Sequence, residues 1–226
     1  MNSTAPQSIG VIMDGNRRWA REQGLASYEG HTRGYKKLLE LLQWARDAEV
    51  KHVTAYALST ENLKRSEEEV TYLFDLFRRA VKDIRARLKE FPVRVVFAGD
   101  RARLPKDLAE AVTDLENETA HHKEYSFTIA APYGGRAEIV AATNQAIARG
   151  VSVSEEEFAE LLWTSHAPDP DIIIRTGGEK RLSNFLPWQA AYSELFFTDT
   201  FWPEFSQEEF QDILKAYGKR NRRYGA

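Results

Sequence analysis

Four short stretches of this sequence gather glycine, amide, carboxylate and guanidinium groups together. They are Asp14-Gly15-Asn16-Arg17-Arg18-Trp19, Ser59-Thr60-Glu61-Asn62-Leu63-Lys64-Arg65, Tyr133-Gly134-Gly135-Arg136, and the run from Arg175-Thr176-Gly177-Gly178-Glu179 through Lys180-Arg181-Leu182-Ser183-Asn184. Gly99-Asp100-Arg101 is a weaker fifth case. Arg18, Arg65, Arg175 and Arg181 supply planar cationic forks, which match the oxygens of phosphate groups. The nearby glycines expose backbone N–H groups at expected helix starts, a second way of holding phosphate. Asp14 is an acid among these cations, and a carboxylate beside a diphosphate is a common Mg²⁺ ligand. Together these residue types point to a diphosphate and a metal ion.

Taken singly, each stretch has a plainer reading. Asp14-Gly15-Asn16 can be a turn followed by a helix cap, and Arg17-Arg18 a solvated first turn. Ser59 and Glu61 can be a capping pair. Tyr133-Gly134-Gly135 is expected to be a loop that needs positive φ, and Gly177-Gly178 shares that ambiguity. His31 lies near a helix start, His121-His122 at a polar helix end, and Arg220, Arg222 and Arg223 fit a solvated helix C-terminus. Convergence is what argues for a site, and that depends on the elements carrying these stretches.

Short apolar runs alternate with longer segments of helical period. Ser8–Met13, His52–Leu58, Val93–Phe97, Tyr125–Ala131, Asp171–Ile174 and Glu194–Phe197 read as six strands. Between them, helices are expected over His31–Glu49, Ser66–Glu90, Pro105–His122, Arg136–Arg149, Glu155–Thr164 and Ser206–Tyr217. Ser66 and Glu69 stand at capping-box spacing, and Gly150 ends its helix. Strands separated by helices of this length imply parallel βαβ units: a single α/β domain over residues 1–226, with an open, mostly parallel six-stranded sheet and helices on both faces. In such sheets ligands bind beyond the carboxyl ends of the strands, where the four stretches fall.

Composition narrows the function classes. The chain has 226 residues, 42% hydrophobic, with 31 Lys+Arg against 34 Asp+Glu; this supports one substantial core and argues against disorder. No run approaches the ~18 apolar residues of a membrane span, and the polar first residues lack a signal core, so a cytoplasmic location is expected. The absence of cysteine excludes disulfides, thiolate metal sites and cysteine nucleophiles. A net charge of −3 gives no reason to expect nucleic acid. P-loop, dinucleotide-fingerprint, nucleophile-elbow and zincin motifs are all missing.

In order along the chain, the four stretches, together with Gly30-His31, Trp188-Gln189, Tyr192-Ser193-Glu194 and Arg222-Arg223-Tyr224-Gly225, strongly resemble the cis-prenyltransferases, the undecaprenyl diphosphate synthase family. The resemblance runs from Ile9 to Gly225. It implies an enzyme that condenses isopentenyl diphosphate with an allylic diphosphate (geranyl or farnesyl), adding five-carbon units with cis double bonds and using Mg²⁺. Carried over, Asp14 is the essential acid and metal ligand, and Glu194 the second metal carboxylate. Gly15, Asn16, Arg17, Arg18, Trp19, Ser27 and His31 belong to the allylic diphosphate site. Arg175, Arg181, Leu182 and Ser183 belong to the isopentenyl site. Ser59, Thr60, Glu61, Leu63 and Arg65 line the region between them, with Asn62 near the proton that must leave. The resemblance further implies a homodimer in which the Arg223-Tyr224-Gly225 tail reaches the partner, and at most peripheral membrane contact.

A growing hydrocarbon needs an apolar tunnel, for which Ala57, Leu63, Tyr72, Leu73, Leu76 and Phe77 are candidates, with Phe91, Tyr125 and Phe127 as a bulky floor. Several positions depart from the family pattern. Ser27 replaces an expected Arg, a charge-assisted contact worth about 1.5–3 kcal/mol; Leu63 replaces a frequent Trp, Ser66 a Pro, and Pro132 an Asn. Two alternatives stay open: a non-catalytic partner subunit, disfavoured by the retained Asp14, Asn16, Arg18, Arg175, Arg181, Ser183 and Glu194, and a head-to-middle, lavandulyl-type condensing enzyme, disfavoured by the intact Ser59–Asn62.

Overall fold

A computed structural model describes residues 5–150 and 152–219. Six strands, β1 (Ser8–Ile12), β2 (His52–Tyr56), β3 (Arg94–Ala98), β4 (Ser126–Ala130), β5 (Ile172–Arg175) and β6 (Glu194–Phe197), form one all-parallel sheet in the order β3-β4-β2-β1-β5-β6. The helices are α1 (Asn16–Glu22), α2 (Ser27–Asp47), α3 (Glu67–Arg87), α4 (Lys106–Thr119), α5 (Gly135–Arg149), α6 (Glu155–Ala159) and α7 (Gln207–Gly218). From β1 the chain moves to one side of the sheet, and from β5 to the other. The neighbouring ends of β1 and β5 therefore form the topological switch point, where an open parallel sheet leaves a crevice.

Alternation along the strands sends side chains to two cores. Ile9, Val11, Val53, Ala55, Phe127, Ile129 and Ile174 face one side and pack with Leu38 and Leu41 of α2, Leu73 and Ile84 of α3, Leu108 and Leu115 of α4 and Phe210 of α7. Ile12, Ala98, Ala130 and Ile173 face the other, under Tyr133, Phe185 and Leu186. The edge strand β3 does not leave its amides open: Thr119 Oγ1 accepts from Val95 N–H at 3.0 Å and Glu116 Oε1 from Phe97 N–H at 2.8 Å, which blocks addition of a further strand.

α1 is not among the expected helices, and α2 and α6 differ most from their expected bounds. α2 begins at Ser27 and takes Gly30-His31 into its first turns. Glycine is tolerated there because α1 packs directly on it: a Cβ on Gly30 would lie 2.1 Å from the Asn16 carbonyl oxygen, and one on Gly34 2.1 Å from Asn16 Oδ1. α6 stops at Ala159 instead of Thr164. The chain leaves the helix to bury Leu161 and Leu162 beside Ala142 and Ala146, and to place Thr164 against the buried Glu138.

Candidate active site

The ends of β1 and β5 meet in register, Ile12 opposite Arg175. Arg175 is 4% exposed. Its Nη2 donates to Asp14 Oδ2 at 2.9 Å, and its Nη1 donates to Ser183 Oγ at 2.7 Å and to the Arg181 carbonyl. The third nitrogen, Nε, is buried without a partner. Asp14 Oδ1 accepts from Gly15 N–H at 2.7 Å and faces Arg18 Nη2 at 3.2 Å. The Arg18 guanidinium lies 5.2 Å over the Phe201 ring, in space that a Cβ on Gly177 would fill. Gly15 has φ +106°, a conformation only glycine adopts cheaply, and any side chain there would strike Phe201.

The β2 end supplies Ser59 and Asn62. The capping pair is Ser59 with Asn62 rather than with Glu61: Asn62 N–H donates to Ser59 Oγ and Ser59 N–H to Asn62 Oδ1, both at 3.1 Å. Glu61 instead accepts from Asn184 Nδ2 at 3.1 Å and from Thr60 Oγ1 at 3.2 Å. Asn184 also joins the β4 end, its carbonyl accepting from Gly135 N–H at 2.8 Å and its Oδ1 from Arg136 N–H at 2.9 Å.

The expected positive φ at Gly134-Gly135 is absent; Gly134 is extended at φ −162°. These glycines answer to close approach, since a Cβ on Gly135 would stand 2.0 Å from Pro187 Cδ. Positive φ falls instead on Gly177 and Gly178, and on Ser183, Asn184 and Leu186. Three non-glycine residues in the left-handed region is strain of the kind concentrated at functional loops. The Arg175, Asn184 and Tyr56 contacts over-determine this loop, with Tyr56 Oη donating to the Ser183 carbonyl at 3.3 Å.

The β1, β2 and β5 ends enclose a cleft of about 1130 Å³, which Tyr133, Gly134, Gly135 and Arg136 of the β4 end do not line. Asp14, Gly15, Asn16, Arg17, Arg18, Ser27, His31, Ser59, Glu61, Asn62, Arg65, Arg175 and Ser183 all line it. Trp19, Thr60, Leu63, Arg181 and Leu182 do not. Trp19 Nε1 donates to Glu204 at 3.0 Å, Leu63 and Leu182 pack into the two cores, and the Arg181 guanidinium pairs with Glu179. Glu194, expected as the second metal carboxylate, does not line the cleft. It opens β6 in register with Ile172 and Ile9, at the amino-terminal edge. Asp14 follows the opposite, carboxyl-terminal end of β1, two strands away from β6. The Arg223-Tyr224-Gly225 tail lies outside the described residues.

Beneath the cleft, sharing Met13, Asn16, His31, Ala57 and Leu73 with it, is an apolar cavity of about 90 Å³ between α2 and α3. Leu76, Phe77 and Phe127 line it as expected. Leu63, Tyr72, Phe91 and Tyr125 do not: Tyr72 bonds Thr32 and the Tyr28 carbonyl, and Phe91 and Tyr125 hold the Arg46 guanidinium on their faces.

Two carboxylates were hidden in the sequence pattern. Glu138, 1% exposed, accepts from Tyr133 Oη at 2.6 Å, Gln189 Nε2 at 3.0 Å and both Thr164 donors at 3.2 Å; burial drives its pKa up, and these bonds oppose that. It ties the β4 end to the loop that follows Ser183. Glu69, read as a helix-capping residue, accepts from Arg65 Nη1 at 2.8 Å and lies 3.5 Å from His31 Nε2 and 3.7 Å from Arg17 Nη1. Burial, followed by the neighbouring Arg65 charge, lowers the His31 pKa against the opposing pull of Glu69.

Residues 12–225 match the prenyltransferase family model of undecaprenyl diphosphate synthases. An isoprenyl transferase of Fusobacterium nucleatum is 42% identical over all of this chain and 98% of its own length. A tritrans,polycis-undecaprenyl-diphosphate synthase (geranylgeranyl-diphosphate specific) of Pyrococcus horikoshii is 44% identical over 97% of this chain and 87% of its own. The crystal structure of lavandulyl diphosphate synthase from Lavandula x intermedia, in complex with dimethylallyl diphosphate, superposes with a TM-score of 0.94 at 30% identity, covering both chains fully.

Proposed function

The chain belongs to the undecaprenyl diphosphate synthase family and is a cis-prenyltransferase, and from that premise we propose that it condenses isopentenyl diphosphate with an allylic diphosphate, geranyl or farnesyl, to extend a Z-polyprenyl diphosphate. The observation that carries this reading is the Asp14–Arg175 pair at the switch point, set in a cationic cleft that continues into an apolar cavity.

In this reaction the allylic C–O bond breaks and its electron pair leaves with diphosphate. The isopentenyl double bond then attacks the allylic carbon, and a proton is lost from the adjoining carbon to regenerate an alkene. Arg17, Arg18, Arg65 and His31 are placed to hold the leaving diphosphate, where fixed donors aimed at developing charge lower the barrier. Arg175 and Ser183 hold the second diphosphate, and the unpartnered Arg175 Nε is a buried donor suited to an anion. Arg181 joins them by exchanging Glu179 for phosphate. Asn62 spends its oxygen and backbone on Ser59, which leaves its side-chain NH₂ to orient substrate. An amide is a poor base, so a phosphate oxygen or Asp14 takes the proton.

The residues fit magnesium. Asp14 offers a hard carboxylate in the cleft, and among the described residues no cluster of three or more His, Asp or Glu forms a protein cage. That is the donor set of an ion completed by substrate phosphate and water oxygens. Once bound beside Asp14, it would neutralise diphosphate charge.

Exposed apolar residues, Val140 and Ile147 of α5 with Tyr192 and Leu195 at the β6 edge, are the kind of surface a second copy covers, in line with a homodimer. Among the described residues no helix is long and apolar enough to cross a membrane. The likeness to the lavandulyl synthase supports a second reading, head-to-middle condensation on the same fold. Elongation is favoured because a relative 44% identical over 97% of this chain is named as an undecaprenyl-diphosphate synthase.

The test is incorporation of labelled isopentenyl diphosphate, with Mg²⁺ and each of dimethylallyl, geranyl and farnesyl diphosphates. Incorporation by the wild type that disappears in Asp14→Ala supports the proposal; none from any primer by the folded protein overturns it.

A further inference from the structure

Two arginines and a histidine that line the cleft arrive from three parts of the chain, Arg17 from α1, His31 from α2 and Arg65 from the turn before α3, and all face Glu69. The Glu69 side chain is only 18% exposed, and no step of the reaction uses it.

A second, independent observation concerns what Glu69 gives up. The chain contains three Ser-x-x-Glu helix starts with Ser as N-cap: Ser66, Ser154 and Ser206. In two of them the box closes both ways, with Ser154 N–H donating to Glu157 Oε2 at 2.8 Å and Ser206 N–H to Glu209 Oε2 at 3.1 Å. At α3 only half forms. Ser66 Oγ accepts from Glu69 N–H at 3.4 Å, while the Glu69 carboxylate turns from the cap to the cations. A cap bond with one charged partner is forgone for the Arg65 ion pair, in which both partners are charged. Asp14 does the equivalent for Arg18 and Arg175 in the other half of the cleft.

We propose that Glu69 is an internal anion standing in for the allylic diphosphate: it gathers Arg17, His31 and Arg65 while the cleft is empty and competes with diphosphate for them when substrate or product is bound. The proposal rests on reading the cleft as a diphosphate site. It follows that Glu69 weakens diphosphate binding and speeds its release, because the cations have a partner to return to. Without it, the three groups would hold the anion more tightly and turnover would not gain.

The test uses the full chain and inorganic pyrophosphate, titrated calorimetrically without divalent metal into wild type, Glu69→Gln and Glu69→Ala. Gln keeps an oxygen for Arg65 and removes the charge. Expected is binding about tenfold tighter in Glu69→Gln, the scale of removing one like charge a few ångströms from the anion in a partly solvated site. The gain should shrink as salt rises. In turnover, KM for the allylic diphosphate should fall while kcat does not rise, a split that a merely structural glutamate would not produce. Equal or weaker pyrophosphate binding in a variant with wild-type circular dichroism and unfolding midpoint overturns the proposal. Glu69→Ala, at a helix position that favours alanine, serves if Glu69→Gln fails to fold. Failure of the wild type to bind pyrophosphate at all overturns the underlying site reading and takes the inference with it.

Discussion

The Arg175 guanidinium, fixed at the end of β5, donates to the Asp14 carboxylate from the adjoining end of β1 across 2.9 Å, and with its other terminal nitrogen holds Ser183 at 2.7 Å. One buried planar side chain thus sets the relative position of Asp14 and the loop proposed to grip isopentenyl diphosphate. A point charge cannot span both partners, which makes the pair sensitive to geometry as well as to charge.

Arg175→Lys should therefore lower kcat/KM by about a hundredfold, the cost of losing two charge-assisted bonds, with KM for isopentenyl diphosphate rising. Steady-state kinetics on the folded variant check this. Activity within a few-fold of wild type would show that the fork is not needed.

Asn62→Asp should keep measurable turnover. The oxygen that receives Ser59 N–H is retained, so the turn survives, while the orienting NH₂ gives way to a second oxygen and a negative charge. A loss as deep as that of Asp14→Ala would mean that the amide takes part in the proton transfer itself.

Product length should respond to Phe77. The apolar cavity of about 90 Å³ holds the volume of roughly three liquid waters, far less than a long prenyl chain. Phe77 and Phe127 both line it, and Phe77 is the less buried of the two. Phe77→Ala should shift products to longer chains when sized by mass spectrometry. An unchanged distribution would place the limit elsewhere.

His166 should contribute to acid sensitivity. Its Nε2 lies 2.7 Å from Thr128 Oγ1, and burial, with the Arg94 and His52 charges, lowers its pKa to about 4. The unfolded chain, with a histidine pKa of about 6.5, takes up a proton that the folded chain refuses. Stability from this group is thus complete above about pH 6.5 and declines as pH falls toward 4. His31 and His52, whose pKa values burial also lowers, act in the same direction. Urea unfolding at pH 7 and pH 5 should show a smaller drop in His166→Gln than in wild type; parallel curves would contradict the assignment.

What the sequence made legible was periodicity and chemistry at strand ends. All six strands and their parallel arrangement follow from apolar runs separated by helices, so Asp14, Ser59 and Arg175 could be placed on one edge before any pairing was known. The start of β6 at Glu194 was legible as well, but the order in which the strands pair was not. Close approach was not legible either. The Gly134-Gly135 pair suggested unusual φ, whereas the cause is Pro187 lying against Gly135, a contact from some fifty residues away. Glu69 was concealed because Ser-x-x-Glu has a sufficient local explanation, and only the approach of Arg17 and His31 from other helices, beside Arg65, shows that its carboxylate is used otherwise.

The central claim is most directly tested on the product itself. Geranyl diphosphate and labelled isopentenyl diphosphate would be converted with Mg²⁺, the diphosphates removed, and the new alkene assigned by NMR alongside mass spectrometry. The account predicts linear chains longer by whole five-carbon units, each newly formed double bond Z, and no product from Asp14→Ala. Branched head-to-middle products, newly formed E double bonds, or no product from a folded wild type with either geranyl or farnesyl diphosphate would contradict it.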